Sequence, residues 1–254
     1  MKKLSALLVF LALTFAMGSS YAQPQVTIHL KGGYNLPFPD LKGDLTDSAD
    51  RTNTLGIKMG YGFGADVKYF LGKKRNVGIT LDLMYNLFSN SEDTVAGIGK
   101  DVKNKLNAFT AGLGIEYAFM PKGKVNPFVG LEFTGHFMSG NYEYTGVDTS
   151  GATTTITADM KSASRFGAAL GFGLDFKLSK SIGIVVGGKY HLANLIGKEG
   201  PDTTAVVINT TECPLIDKEY TVGGTTFDAK NISYLQAYLG ISFYLNQPKK
   251  TVKK

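Results

Sequence analysis

The sequence predicts an all-β chain, an eight-stranded antiparallel up-and-down transmembrane β-barrel. Three observations predict it. Apolar and polar residues alternate with a two-residue period in eight separate runs, and successive side chains of a strand point to opposite faces. The links between the runs go long, short, long, short along the chain, as in a barrel with tight periplasmic turns and long extracellular loops. The chain also opens with a secretion-type leader: Lys2 and Lys3, an apolar stretch from Leu4 to Met17, and a small-x-small site at Ser20-Tyr21-Ala22.

The leader divides the chain. Residues 1–22 are expected to leave as a signal peptide, 23–245 to form the barrel, and 246–254 to trail as a basic tail. The apolar stretch is shorter than the about 20 residues a spanning helix needs. No cysteine follows the cut closely, so a lipid anchor is not expected. The formal charge of +6 is carried by Lys2, Lys3, Lys249, Lys250, Lys253 and Lys254, which leaves the body balanced. Nucleic-acid binding would want a basic face on the domain itself, and the balanced body gives no sign of one, so no nucleic-acid partner is expected. Cys213 is the single cysteine, so no intrachain disulfide can form. It reads as an incidental loop thiol, because one sulfur without a nearby His or Cys fits no metal site. No cofactor is expected.

Each strand then follows from its alternation. The first run, Val26 to Tyr34, sets Val26, Ile28 and Leu30 toward lipid and Thr27, His29 and Lys31 inside. In the second, Leu55, Ile57, Met59, Tyr61, Phe63, Ala65, Val67 and Tyr69 face out. Gly56, Lys58, Gly60, Gly62, Gly64, Asp66, Lys68 and Phe70 oppose them. The third, Val77 to Leu87, turns Gly78, Thr80, Asp82, Met84 and Asn86 inward. The fourth sets Phe109, Ala111, Leu113, Ile115, Tyr117 and Phe119 against Thr110, Gly112, Gly114 and Glu116. The fifth sets Val129, Leu131, Phe133 and Phe137 against Gly130, Glu132, Thr134 and His136. The sixth, Arg165 to Leu178, turns Arg165, Asp175 and Lys177 inward among small residues. The seventh places Ile182, Ile184, Val186 and Tyr190 outside, with Lys189 and His191 inside. The eighth sets Leu235, Ala237, Leu239, Ile241, Phe243 and Leu245 against Gln236, Tyr238, Gly240, Ser242 and Tyr244.

The tight links are Leu71 to Asn76, Met120 to Asn126 and Ser179 to Ser181. The long ones, Asn35 to Thr54, Phe88 to Lys105, Ser139 to Ser164 and Ala193 to Asn231, are expected to be extracellular loops. Thr155 to Asp159 and Ala205 to Asn209 are strand-like and would extend hairpins above the membrane. A soluble sandwich also alternates, but a glycine-crowded face suits a narrow lumen better than a water-exposed sheet. Aromatics near strand ends, among them Tyr34, Tyr61, Tyr69, Tyr85, Tyr117, Phe119, Phe137 and Tyr190, suit interfacial girdles. The usual girdle residue Trp is absent.

On these features the chain resembles the small OmpA/OmpX-like outer-membrane barrels, and more loosely the barrel-only proteins grouped with the PorT family of Bacteroidetes. The last strand carries Tyr238-x-Gly240-x-x-Phe243-x-Leu245, which looks like the C-terminal signal read by the barrel-assembly machinery. The chain departs from that pattern by running on to Lys254. The resemblance implies outer-membrane localisation, contact with outer-membrane lipid, and that machinery as a partner during insertion.

The inferred interior holds Lys58, Lys68, Arg165, Lys177 and Lys189 against Asp66, Asp82, Glu116, Glu132 and Asp175. A bore of eight strands is just wide enough to be filled by side chains, and buried charges must pair. A self-satisfied ion network is therefore expected, with a narrow solute or ion channel as the alternative. An enzyme is not expected. A lipid deacylase of the PagL type carries a His-x-Ser pair on the lipid face, whereas His29, His136 and His191 all fall inward and none is followed by Ser at that spacing. Asp202, Glu212 and Asp217 cannot be placed against His191 from sequence. The reading is a structural or interaction protein acting through its extracellular loops, where recognition usually sits. The loops carry Tyr142, Tyr144, Phe227 and the Thr153-Thr154-Thr155 and Thr203-Thr204 clusters. An accessory role in secretion and a lipid-modifying activity stand as further alternatives, and any extracellular ligand is unknown.

Overall fold

In chain order the elements are β1 (Val26–Pro37), α1 (Ser48–Asn53), β2 (Met59–Leu71), β3 (Val77–Val95), β4 (Gly99–Ala118), β5 (Val125–Val147), β6 (Thr153–Lys177), β7 (Ile182–Ile196), β8 (Glu212–Cys213), β9 (Tyr220–Val222), β10 (Thr225–Phe227) and β11 (Ser233–Leu245). They come from a computed structural model that describes residues 24–147, 152–201 and 212–245. The leader, the basic tail, Asp202, Thr203-Thr204 and Ala205 to Asn209 lie outside the described residues.

Strands β1 to β7 and β11 pair with their sequence neighbours, all antiparallel. Pairing of β11 with both β1 and β7, and of β5 with β6, closes the ring. A closed ring leaves no edge and satisfies every ladder within the protein, which a lipid surround demands. Strand β8 adds in parallel to β6 at Asp159 and Met160, and β9 with β10 forms a separate small hairpin.

The outer face carries the predicted belt. Ile79, Leu81, Leu83, Leu113, Leu131, Phe133, Phe172, Leu239 and Ile241 stand exposed on it. Along tilted β3 the exposed run from Val77 to Leu87 matches an apolar band about 25 Å tall. Tyr69, Tyr117 and Phe119 are exposed at the short-turn rim, and Tyr34, Tyr61, Tyr85 and Phe137 at the other.

Two expectations are corrected. The links Phe88 to Lys105 and Ser139 to Ser164 are largely not loops, since β3 with β4 and β5 with β6 stay paired far past the belt. Above the lipid nothing selects for grease on the outer face, so alternation fades while backbone pairing continues. The run beginning at Leu55 is the other correction. β2 starts only at Met59, because Gly56 adopts a φ of +64°, a conformation that turns the chain out of the strand. Ile57 is consequently buried rather than lipid-facing, and Gly43 N–H bonds its carbonyl at 3.1 Å.

Candidate functional site

The ring turns every second side chain into a bore too narrow for open water, so the interior is best described as layers from the short-turn end upward. At the bottom, Asp175 accepts hydrogen bonds from Ser242 Oγ and Tyr244 Oη, each at 2.7 Å. Lys177 Nζ donates to the Pro121 carbonyl at 2.6 Å. A cavity of about 10 Å³ lies among Thr27, Lys68, Asn126 and Lys177, room for roughly one water.

The ion layer follows. Lys68 pairs with Glu116, over the Phe128 ring at 4.0 Å. Lys31 Nζ reaches Asp66 at 2.7 Å and Asp82 at 3.1 Å. Lys189 bridges Asp82 and both oxygens of Glu132, the latter at 2.8 Å. His29 Nδ1 sits 3.1 Å from Asp66. Most of these pairs join neighbouring or next-but-one strands, and the Lys189–Asp82 pair joins β7 to β3 on the opposite wall.

Glycines make room for these long side chains. A Cβ on Gly112 would lie 2.8 Å from Glu132 Oε2, and one on Gly187 would lie 2.5 Å from Tyr238 Oη. Above the ions, Asn35, Asn86 and Gln236 exchange amide hydrogen bonds at 2.9–3.1 Å. Asn86 continues to Thr110 at 3.1 Å, and Thr110 lies 3.0 Å from His136. His191 stacks on Tyr234 with centroids 4.5 Å apart.

An apolar plug then fills the bore. Phe88, Leu106, Met138, Ala163, Ala193 and Tyr234 come from the ring, while Leu41, Ile57, Leu215 and Ile232 come from the long links. The links are held down by buried polar locks. Arg165, 0% exposed, grips Asp217 by two hydrogen bonds, Nε to Oδ2 at 2.9 Å and Nη2 to Oδ1 at 3.0 Å. It also donates to the Leu215 and Ser164 carbonyls. Asn194 donates to Asp217 at 2.8 Å, and Asp217 Oδ1 accepts the Glu199 N–H at 2.9 Å. On the other side Asn90 donates to the carbonyls of Gly43 and Gly56, both at 3.0 Å, and Asn104 to that of Leu55 at 2.8 Å.

Over the plug opens a cavity of about 440 Å³, lined mainly by Leu55, Tyr142, Met160, Leu215, Tyr220 and Phe227, with Cys213 and Lys230 at its wall. Burial pushes the Cys213 thiol up from its ordinary value. Burial also pulls the Lys230 ammonium down, although Asp40 opposes it, and Lys230 Nζ donates to the Thr54 carbonyl at 3.3 Å.

Of the ten charged residues expected to form one network, Asp66, Lys68, Asp82, Glu116, Glu132 and Lys189 make ion pairs with one another or with Lys31. Asp175 and Lys177 face inward but satisfy themselves with hydroxyls and a carbonyl instead. Arg165 belongs to the outer lock. Lys58 is a correction: it precedes β2, stands 58% exposed at the mouth and pairs with Glu92 at 3.2 Å. Sequence reasoning left Lys31 and His29 out of the network although both sat at inward positions. Asp217 was noted in the sequence only as an acid that could not be placed against His191; its partner is Arg165, a pairing that depends on a loop folding back over the bore. In the last strand Tyr238 is buried inside, while Phe243 and Leu245 face outward. Gly240 packs so closely on β1 that a Cβ there would lie 2.4 Å from the Leu30 carbonyl oxygen.

A family model described as the outer membrane protein beta-barrel domain matches residues 5–211. A search of curated proteins finds no match. Among solved structures, the chain is similar to neisserial surface protein A (NspA), with 10% identity, 87% of this chain and 97% of that chain covered, and a TM-score of 0.48. It is similar to the outer membrane protein OprG from Pseudomonas aeruginosa, at 12% identity, 89% and 100% coverage, and a TM-score of 0.43. Ail, the attachment invasion locus protein of Yersinia pestis, gives 10% identity, 87% and 98% coverage, and a TM-score of 0.37.

Proposed function

Since the chain belongs to the outer membrane protein β-barrel family, and so resides in the outer membrane, we propose that it is a closed barrel that works as a structural or interaction protein through its extracellular loops. The lumen is its scaffold and not its passage. The apolar plug carries this reading. Leu41, Leu215 and Ile232 from the links meet Phe88, Leu106 and Met138 from the ring and set a packed apolar layer between the ion layer and the mouth. A hydrated ion crossing there would lose its water with nothing to replace it.

With the bore filled, recognition falls to the mouth. The cavity above the plug is mostly apolar, with a few polar groups at its wall, the general make-up of a small-ligand or side-chain pocket. It suits the apolar portion of an extracellular partner. Insertion of the chain would use the last strand, with Phe243 and Leu245 presented outward to the barrel-assembly machinery.

Two measurements on the purified, refolded barrel test this. Planar-bilayer recording is expected to give no steady conductance. The dye N-phenyl-1-naphthylamine is expected to bind saturably at the mouth and to be blocked once Cys213 is alkylated. Steady openings abolished by Lys189→Met would replace the reading with a channel. Absence of saturable dye binding would remove the mouth cavity from it.

A further inference from the structure

The charge of the short-turn end plays no part in the reading above. The three turns between β2 and β3, β4 and β5, and β6 and β7 carry Lys73, Lys74, Arg75, Lys122, Lys124 and Lys180, and no carboxylate. The acidic residues of the chain fall at lumen positions or in the long links and outer hairpins instead. The balanced body charge therefore conceals two ends of opposite character. Lys73, Lys74, Lys122 and Lys180 are exposed and Lys124 is half-buried. None of these five lysines forms an ion pair among the described residues.

Their depth identifies the partner. Leu71, Tyr117, Phe119, Leu178 and Ile182 are exposed on the lipid face at this rim. Lys73 follows Leu71 by two residues, and Lys180 follows Leu178 by two. The cations thus begin where the apolar belt ends, at the level of the lipid phosphates. The turns are only a few residues long, too short to carry the ammonium groups away from the bilayer. Lysine stems can lie along the apolar rim while the heads reach the phosphate plane.

We propose that the short-turn end is a binding ring for anionic glycerophospholipids of the periplasmic leaflet. The ring gathers them around the barrel by their phosphates. The proposal rests on the short turns facing the periplasm and is independent of whether the loops bind a partner.

The test uses the full barrel in phosphatidylcholine vesicles with trace spin-labelled phosphatidylglycerol or phosphatidylcholine. Electron paramagnetic resonance reports the lipid immobilised at the protein. The variant combines Lys73→Gln, Lys74→Gln, Lys122→Gln and Lys180→Gln, all at exposed turn positions, and its fold is checked by the mobility shift on boiling. The wild type is expected to prefer phosphatidylglycerol about fivefold, the factor one exposed cation supplies at an anionic surface. The preference should fall to near parity in the variant and in 1 M salt, where screening acts within about 3 Å. No preference in the wild type, or an equal preference in a folded variant, overturns the proposal. So does binding of purified peptidoglycan sacculi that is lost in the variant while lipid preference is absent, because the face would then serve a wall polymer. A separate control places Lys74→Cys in a Cys213→Ser background. Labelling of that cysteine from outside intact cells by an impermeant maleimide would reverse the orientation itself, a failure distinguishable from the lipid result.

Discussion

The Arg165 guanidinium is tolerable in a fully buried position because Asp217 and the Leu215 and Ser164 carbonyls accept its hydrogen bonds, with the Glu199 carboxylate 3.5 Å away. Breaking a buried pair by removing one partner costs about 3–5 kcal/mol, whereas replacing both partners with apolar residues is often neutral. Arg165→Met should therefore free the 212–232 segment, seen as rapid proteolysis there with the barrel still heat-modifiable. The double variant Arg165→Met/Asp217→Leu should resist proteolysis far better. Lys189 is in a harsher position, since its removal leaves Glu132 without its ion-pair partner, beside Asp82 on the same wall. Lys189→Met should lower unfolding stability in vesicles by about 3–5 kcal/mol, measured by urea titration of the boiling-sensitive mobility. Cys213 supplies a pH test. Burial raises its thiol above the ordinary value, and only the thiolate reacts. Maleimide labelling should be slow at neutral pH and keep rising with pH beyond the point where an exposed thiol levels off.

At the scale of elements, alternation was legible wherever lipid and lumen both pressed on the strand. The belt portions of all eight ring strands were readable for that reason. The upper halves of β3, β4 and β5 were not, because water touches both faces there and residues such as Ser89, Asn104 and Asn141 signal loop as readily as strand; in upper β6 only Thr155 to Asp159 was readable as strand. The Leu55 and Ile57 error has the opposite cause. Two apolar residues continued the rhythm by chance of spacing, and the positive φ of Gly56 placed them beneath a loop. Glycine on the inner face is a packing requirement of the elements. Gly187→Ala would push a Cβ against Tyr238 Oη and the Phe172 carbonyl oxygen, at 2.5 and 2.6 Å. Overpacking of this kind costs typically about 1–3 kcal/mol. A matching drop in the urea midpoint of Gly187→Ala is expected, with partial recovery in Gly187→Ala/Tyr238→Phe.

For the whole molecule, eight hydrogen-bonded strands without an edge, tied across the bore by ion pairs, predict a kinetically stable object. Detergent-extracted protein should migrate differently on gels before and after boiling, and co-migration of the two forms would contradict a closed ring. The sequence by itself determined the number of ring strands, the face each belt residue shows, the outer-membrane setting and the inward position of the charged residues other than Lys58. These follow from a local rule, a two-residue period against a lipid wall. Only the tertiary structure decided which charges meet, that Lys31 joins them and Lys58 does not, and that Asp217 reaches Arg165. Cross-bore pairing depends on strand register and on loops folding back into the mouth. Neither is a property of neighbouring residues, so no local pattern encodes them.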